Sequence, residues 1–228
     1  WELLSWKVKM KPRRNKPTRP FKNTVLCFCE GETEKVYLTC LKKDRYKNVH
    51  IELKPQISNT GFKNIFDDIE QLLDEQKNTA NTNYKYIFYV LDMDVIYSDN
   101  RINEYKKQKK NVESLEQAKE RLAIIESRPC IEFWFLLHYK NTDKCFVNYD
   151  EIIVELCKHI PEYCKNQNYI ASLYEKLKDK LETARQNSEA ICKKERVDNE
   201  DYSYSGMHIL IQILDDLQNK TSPNNQIK

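Results

Sequence analysis

Six consecutive residues, Tyr86-Ile87-Phe88-Tyr89-Val90-Leu91, are apolar on both faces of an extended chain. A strand of that kind needs cover above and below, which places it in the middle of a parallel sheet flanked by helices. The first half of the chain supplies the partners. Residues 24–29 (TVLCFC) form a short β-prone run that stops at Glu30-Gly31. A helical pattern follows over about 32–43, with Val36, Tyr37, Cys40 and Leu41 on one face. Residues 49–54 alternate as a second strand. Phe62, Ile65, Phe66, Ile69, Leu72 and Leu73 then recur at helical spacing. After the central strand the chain turns polar, and a helix over about 113–121 leads into a fourth strand at Leu122-Ala123-Ile124-Ile125. Beyond Pro129 the pattern is helical: a very apolar segment from Cys130 to Tyr139, then 149–159, 169–193 and 206–218, with Ser205 as N-cap of the last.

Strands alternating with helices over some 110 residues imply a doubly wound, mostly parallel α/β sheet, with a helical C-terminal part packed onto it. The expected organisation is a basic N-terminal tail (1–22), an α/β core (23–145), the helical part (146–219) and a short tail (220–228). At 228 residues, 40% hydrophobic and 32% charged, the chain has the makings of a globular core. It holds no apolar run long enough for a membrane span, and the opening WELLSWKVKM lacks the pattern of a secretion signal. No membrane partner is expected, and a cytoplasmic location is. The eight cysteines then read as reduced thiols. Without a C-x-x-C pair no zinc site is expected.

Charge is uneven. Residues 7–22 carry eight basic side chains, Arg13 and Arg14 among them, and no acid; the other 30 basic residues face all 35 acids. Such a tail is suited to a phosphate backbone, or is simply a solvated leader.

In a parallel sheet the carboxyl ends of the strands share one edge, where ligands bind. Three polar groups fall there: Glu30 with Gly31 after the first strand, Asp92-Met93-Asp94 after the third, and Ser127-Arg128-Pro129 after the fourth. Clustered carboxylates repel one another unless a cation sits between them, and hard oxygen ligands suit Mg²⁺ or Mn²⁺. Glu34 lies a helical turn after Glu30, and Glu132 lies in an otherwise apolar helix. Each has a plainer reading. Glu30 fits a solvated strand end, D-x-D is common in turns, Gly31 permits a tight turn, and Glu34 and Glu132 suit the dipole of a first helical turn. His138 reads as a cation complementing the end of its helix, and His208 stands at the start of the last one. Signatures of P-loop ATPases, dinucleotide-binding folds and serine hydrolases are missing.

The stretch from Val25 through Glu30-Gly31-Glu32-Thr33-Glu34 to Tyr37 resembles the opening motif of RloB-like proteins. Leu91-Asp92-Met93-Asp94 and Ser127-Arg128-Pro129-Cys130-Ile131-Glu132-Phe133-Trp134-Phe135-Leu136-Leu137-His138 resemble two further motifs of that family. The resemblance extends over about residues 20–218. It implies a Toprim-like core and an association with restriction loci and phage defence. It also implies a metal-bound glutamate after the first strand (Glu30), an aspartate pair after the third (Asp92 and Asp94) and a further acidic ligand at Glu34, with Glu132 in the catalytic set. The expected activity is Mg²⁺- or Mn²⁺-dependent hydrolysis of DNA or RNA, with Arg13, Arg14, Lys193 and Lys194 gripping the nucleic acid and a partner protein of the defence system in attendance. The alternative is a non-catalytic nucleic-acid- or partner-binding module whose acids hold a structural ion.

Overall fold

The computed structural model describes residues 24–55, 61–78, 84–194 and 201–221. The basic tail, with Arg13 and Arg14, and the last residues lie outside them. Strands β1 (Thr24–Cys29), β2 (His50–Pro55), β3 (Tyr86–Asp92), β4 (Leu122–Arg128) and the two-residue β5 (Tyr204–Ser205) form one sheet, in the order β2-β1-β3-β4-β5. The first four are parallel, and β5 joins β4 antiparallel. The fold class is therefore the expected one, α/β with a mostly parallel sheet, of a kind that Rossmann-like and Toprim-like folds share. After β1 the chain adds β2 on one side, then returns to place β3 on the other. The strand order reverses between β1 and β3, the crevice where open α/β sheets hold their ligands.

The helices are α1 (Glu32–Arg45), α2 (Phe62–Asn78), α3 (Asp94–Ser98), α4 (Ile102–Glu113), α5 (Ile131–Leu137), α6 (Tyr149–Leu156), α7 (Gln167–Leu177), α8 (Leu181–Lys193) and α9 (Met207–Thr221). Alternate residues of β1 and β3 feed two cores, as the period of two dictates. Leu26, Phe28, Ile87, Tyr89 and Leu91 pack with Phe66 and Ile69 of α2 and with Tyr105 and Val112 of α4. Val25, Cys27, Cys29, Phe88 and Val90 face α1, α5 and the C-terminal helices. All seven residues of α5 are buried, and Trp134 Nε1 donates to Tyr37 Oη at 2.9 Å. The helices after residue 146 thus share one continuous core with α1 and the sheet.

Several elements differ from expectation. The helix foreseen at 113–121 is a series of turns, and the helix lies earlier, as α4 in the lysine-rich stretch. Tyr105 and Val112, seven residues apart, anchor one face of it while Lys106, Lys107 and Lys110 stay in solvent. The expected helix 169–193 breaks at a 3₁₀ turn, Lys178–Lys180. The break lets α7 lie on α1 while α8 packs against α5 and α9. Ser205 belongs to β5, where its Oγ lies 3.0 Å from that of Ser127, and the same Oγ still accepts the Met207 N–H that opens α9, at 3.4 Å. His138 is buried, and burial pushes its pKa down to about 4, so it is neutral and not the helix-ending cation foreseen. All eight cysteines are free. No helix among the described residues is long and apolar enough to cross a membrane.

Candidate metal centre

Glu30 leaves β1 at the switch point and Asp92 ends the neighbouring β3. The Asp92 N–H donates to Glu30 Oε2 at 2.8 Å, so one hydrogen bond spans the crevice. Burial raises the Glu30 carboxyl to about 7, against the pull of that hydrogen bond and with the charges of Glu34 and Asp94 adding to it. Asp92 is also shifted well upward, first by burial and then by Glu34, Glu132 and Glu30. Its Oδ1 accepts the Ile131 N–H at 2.8 Å, satisfying an otherwise unpaired donor in the first turn of α5.

The segment after Asp92 is tied to the turn after β4. The Met93 and Asp94 N–H groups both donate to the Pro129 carbonyl, at 2.9 and 3.0 Å. Asp94 opens α3, with Oδ1 accepting the Val95 N–H at 2.7 Å, and its carboxyl is raised chiefly by burial.

Glu34 is only 3% exposed, and its Oε2 has no hydrogen-bond partner. A solvated helix-dipole residue would look otherwise. Burial raises its pKa, and its carboxyl comes within hydrogen-bonding reach of that of Asp92. The glycine before α1 is explained by the same carboxylate. Gly31 has φ −124° and ψ 171°, a conformation open to any residue, so no tight turn demands it. A Cβ there would lie 2.6 Å from Glu34 Oε2.

Glu132 is fully buried. Tyr163 Oη donates to its Oε1 at 2.8 Å, Lys165 Nζ lies 3.2 Å from the same oxygen, and Oε2 is unpartnered. Cys130 is equally buried, and single ligand atoms of Asp92, Cys130 and Glu132 all lie within 4.8 Å of one another. Five acids thus converge on one edge: Glu30, Glu34, Asp92, Asp94 and Glu132. The Lys165 ammonium acts electrostatically on Glu30, Glu34, Asp92 and Asp94 as well. Burial opposes its charge, yet the charges of Glu132 and Asp92 raise its pKa overall.

The carboxylates suit a divalent cation, but among the described residues only Asp92, Cys130 and Glu132 bring three ligand atoms within 4.8 Å of one another; Glu30, Asp92 and Asp94, the set expected from sequence, do not. Buried carboxylate oxygens with no donor are expensive unless protonated or metal-bound, and Glu34 and Glu132 each hold one.

Lys193 and Lys194, by contrast, sit at the exposed end of α8. Their ammonium groups pair with Glu189 and with Asp143, each at 2.5 Å. His208 is engaged by Ser188 Oγ at 2.8 Å, on the α8–α9 contact. Tyr163, Lys165 and Cys130 did not figure among the candidates from sequence. The first two lie in the connection between α6 and α7, where no spacing rule points to the sheet edge. For Cys130 the adjoining Glu132 was the available signal.

A family model described as RloB-like protein matches residues 25–214. No curated protein and no solved structure matches the chain.

Proposed function

The chain belongs to the RloB-like family, and on that footing we propose that it is a metal-dependent nuclease acting in phage defence. The observation that carries the reading is the convergence of five acids at the β1/β3 switch point, with the buried Oε2 atoms of Glu34 and Glu132 unpartnered. Glu30, Glu34, Asp92 and Asp94 would hold Mg²⁺ or Mn²⁺. Bound there, the cation would supply an activated water and stabilise charge on the leaving oxygen of a phosphodiester.

The protein's own groups divide the remaining work. Glu30 is fixed through Oε2 by the Asp92 N–H, which sets the position of its carboxylate at the crevice. Asp92 is held by the Ile131 N–H, which orients its second oxygen. Lys165, half exposed beside the acids, is placed to meet a phosphate arriving from solvent. Arg13 and Arg14 of the tail, with Lys193 and Lys194, are proposed to hold the flanking backbone. Deleting residues 1–20 should then lower affinity and flatten its salt dependence.

The experiment is direct. Purified protein is incubated with Mg²⁺ or Mn²⁺ and either DNA or total RNA, beside a Glu30→Gln control. Metal-dependent cleavage by the parent that disappears in the control supports the proposal. Cleavage by neither protein, or by both equally, overturns it.

A further inference from the structure

The acids foreseen as ligands are all oxygen donors, yet the tightest group of potential ligand atoms includes sulfur. Asp92, Cys130 and Glu132 each present one atom, mutually within 4.8 Å. Cys130 and Glu132 flank the start of α5 with one residue between them, and both are completely buried. Asp92 reaches them from the end of β3 and is anchored by the N–H of the residue between them, Ile131. Packing alone does not account for the group. The Cys130 thiol lies within reach of the Glu132 carboxyl but is a weak donor, and the Glu132 Oε2 has no partner that meets hydrogen-bond geometry. Tyr163 and Lys165 satisfy only the opposite oxygen, Oε1.

We propose that Asp92, Cys130 and Glu132 form a subsite for a borderline divalent cation of the cobalt–zinc class, adjoining the oxygen-only set and sharing Asp92 with it. The proposal rests on the reading of this edge as a metal centre. It adds a chemical preference that the acids alone would not give. Magnesium takes oxygen donors in octahedral geometry and has little affinity for sulfur. Thiolate ligation shifts affinity toward the later first-row ions. Cys130 and Glu132 are buried, while the side chain of Lys165 beside them is 43% exposed. An entering cation replaces the ammonium as the charge balancing Glu132.

Cobalt makes this visible, because Co²⁺ bound to a thiolate shows a sulfur-to-metal charge-transfer band in the near ultraviolet that carboxylates do not produce. Metal-stripped protein is titrated with Co²⁺, then challenged with Zn²⁺ and with excess Mg²⁺. The parent should develop the band, Zn²⁺ should remove it, and Mg²⁺ should not. Cys130→Ser should lose the band and weaken Co²⁺ binding by more than the ~10–100-fold typical of losing an outer-shell partner. Cys164→Ser, at an exposed thiol next to Lys165, should keep it. Circular dichroism confirms that the variants fold, and Cys130→Ala serves if the serine variant does not.

A band that survives Cys130→Ser overturns the subsite. So does Co²⁺ binding, measured by calorimetry, without a charge-transfer band; that result leaves the oxygen-ligand centre intact. Binding of none of Co²⁺, Zn²⁺ and Mn²⁺ counts against both the subsite and the metal-dependent function.

Discussion

The carboxylate of Glu34 rests on the bare Cα of Gly31, so that a single added methyl would come within 2.6 Å of its Oε2. The glycine serves a side chain rather than a backbone angle. Gly31→Ala should therefore push the Glu34 carboxylate out of the centre, lowering metal affinity and activity together. The atom met is the end of a side chain that can turn aside, so the cost should fall below the ~1–3 kcal/mol of rigid overpacking. Because the strain is with Glu34 alone, adding Glu34→Ala should recover most of the stability but none of the activity. A double-mutant cycle by urea denaturation reads the coupling; additive losses would contradict it.

Neutralising the acids should help the metal-free protein and harm the loaded one. In Glu30→Gln and Asp92→Asn a buried carboxyl that resists ionisation is replaced by a neutral amide, so above pH 7 melting without metal should occur at or above the parent temperature. The stabilisation that millimolar Mg²⁺ or Mn²⁺ gives the parent by linkage should shrink. Nuclease activity should fall by orders of magnitude. A variant that melts earlier without metal and keeps its metal response would mark these acids as ordinary strand ends.

Lys165→Met removes the cation beside a fully buried carboxylate. Breaking a buried pair costs about 3–5 kcal/mol, but the half-exposed ammonium brings the expected loss nearer ~1–3 kcal/mol. The loss should appear in chelator and be largely recovered on adding Zn²⁺ or Mn²⁺. Adding Glu132→Gln should also recover it. Chemical denaturation of the three proteins with and without metal checks both.

Two groups shifted by burial, Glu30 and His138, give opposite pH dependences in metal-free protein. Glu30 has its folded pKa raised to about 7, so between that value and its ordinary 4.5 the native state binds a proton that the unfolded chain does not. Its contribution grows as pH falls through that window and is lost above it. His138 is depressed from 6.5 to about 4, so below 6.5 the unfolded chain binds a proton that the native state refuses. Stability is lost as pH falls through that window. Urea midpoints between pH 7 and 4 should fall more steeply with acid in Glu30→Gln than in the parent, and less steeply in His138→Gln. Parallel curves for all three would refute both assignments.

Much of this architecture can be read from residue order. The doubly apolar 86–91 run marks the central strand, and β1 and β2 follow from periodicity, so the topology brings Glu30, Asp92 and Asp94 to one edge. Less legible was anything set by distant packing. The two-residue β5 is too short to carry a period, and the 3₁₀ break at Lys178–Lys180 conserves the apolar spacing on both sides. Tyr163 and Lys165 reach Glu132 only because the C-terminal helices pack around α5, a relationship between elements that no local pattern records. His138 was misread for a related reason. Its place at a helix end is local, but the neutrality imposed by burial is tertiary.

The two borders of the sheet are guarded in different ways. The outer strand β2 is six residues long, carries Glu52 and Lys54, and ends in Pro55. Charge and a missing donor of this kind discourage another chain from pairing with it. The β4 border is instead covered from within. Residue pairs Ser127–Ser205 and Arg128–Tyr204 close one end of it, Tyr204 Oη and Lys109 Nζ both reach Glu126, and α9 lies against the strand. The last helix and the strand before it therefore act as a stopper against self-association. A chain ending before residue 201 would bare the edge at Glu126, Ser127 and Arg128 and the apolar face of Ala123 and Ile125 that shares a core with α9, and its expected fate is aggregation rather than a folded but inactive protein.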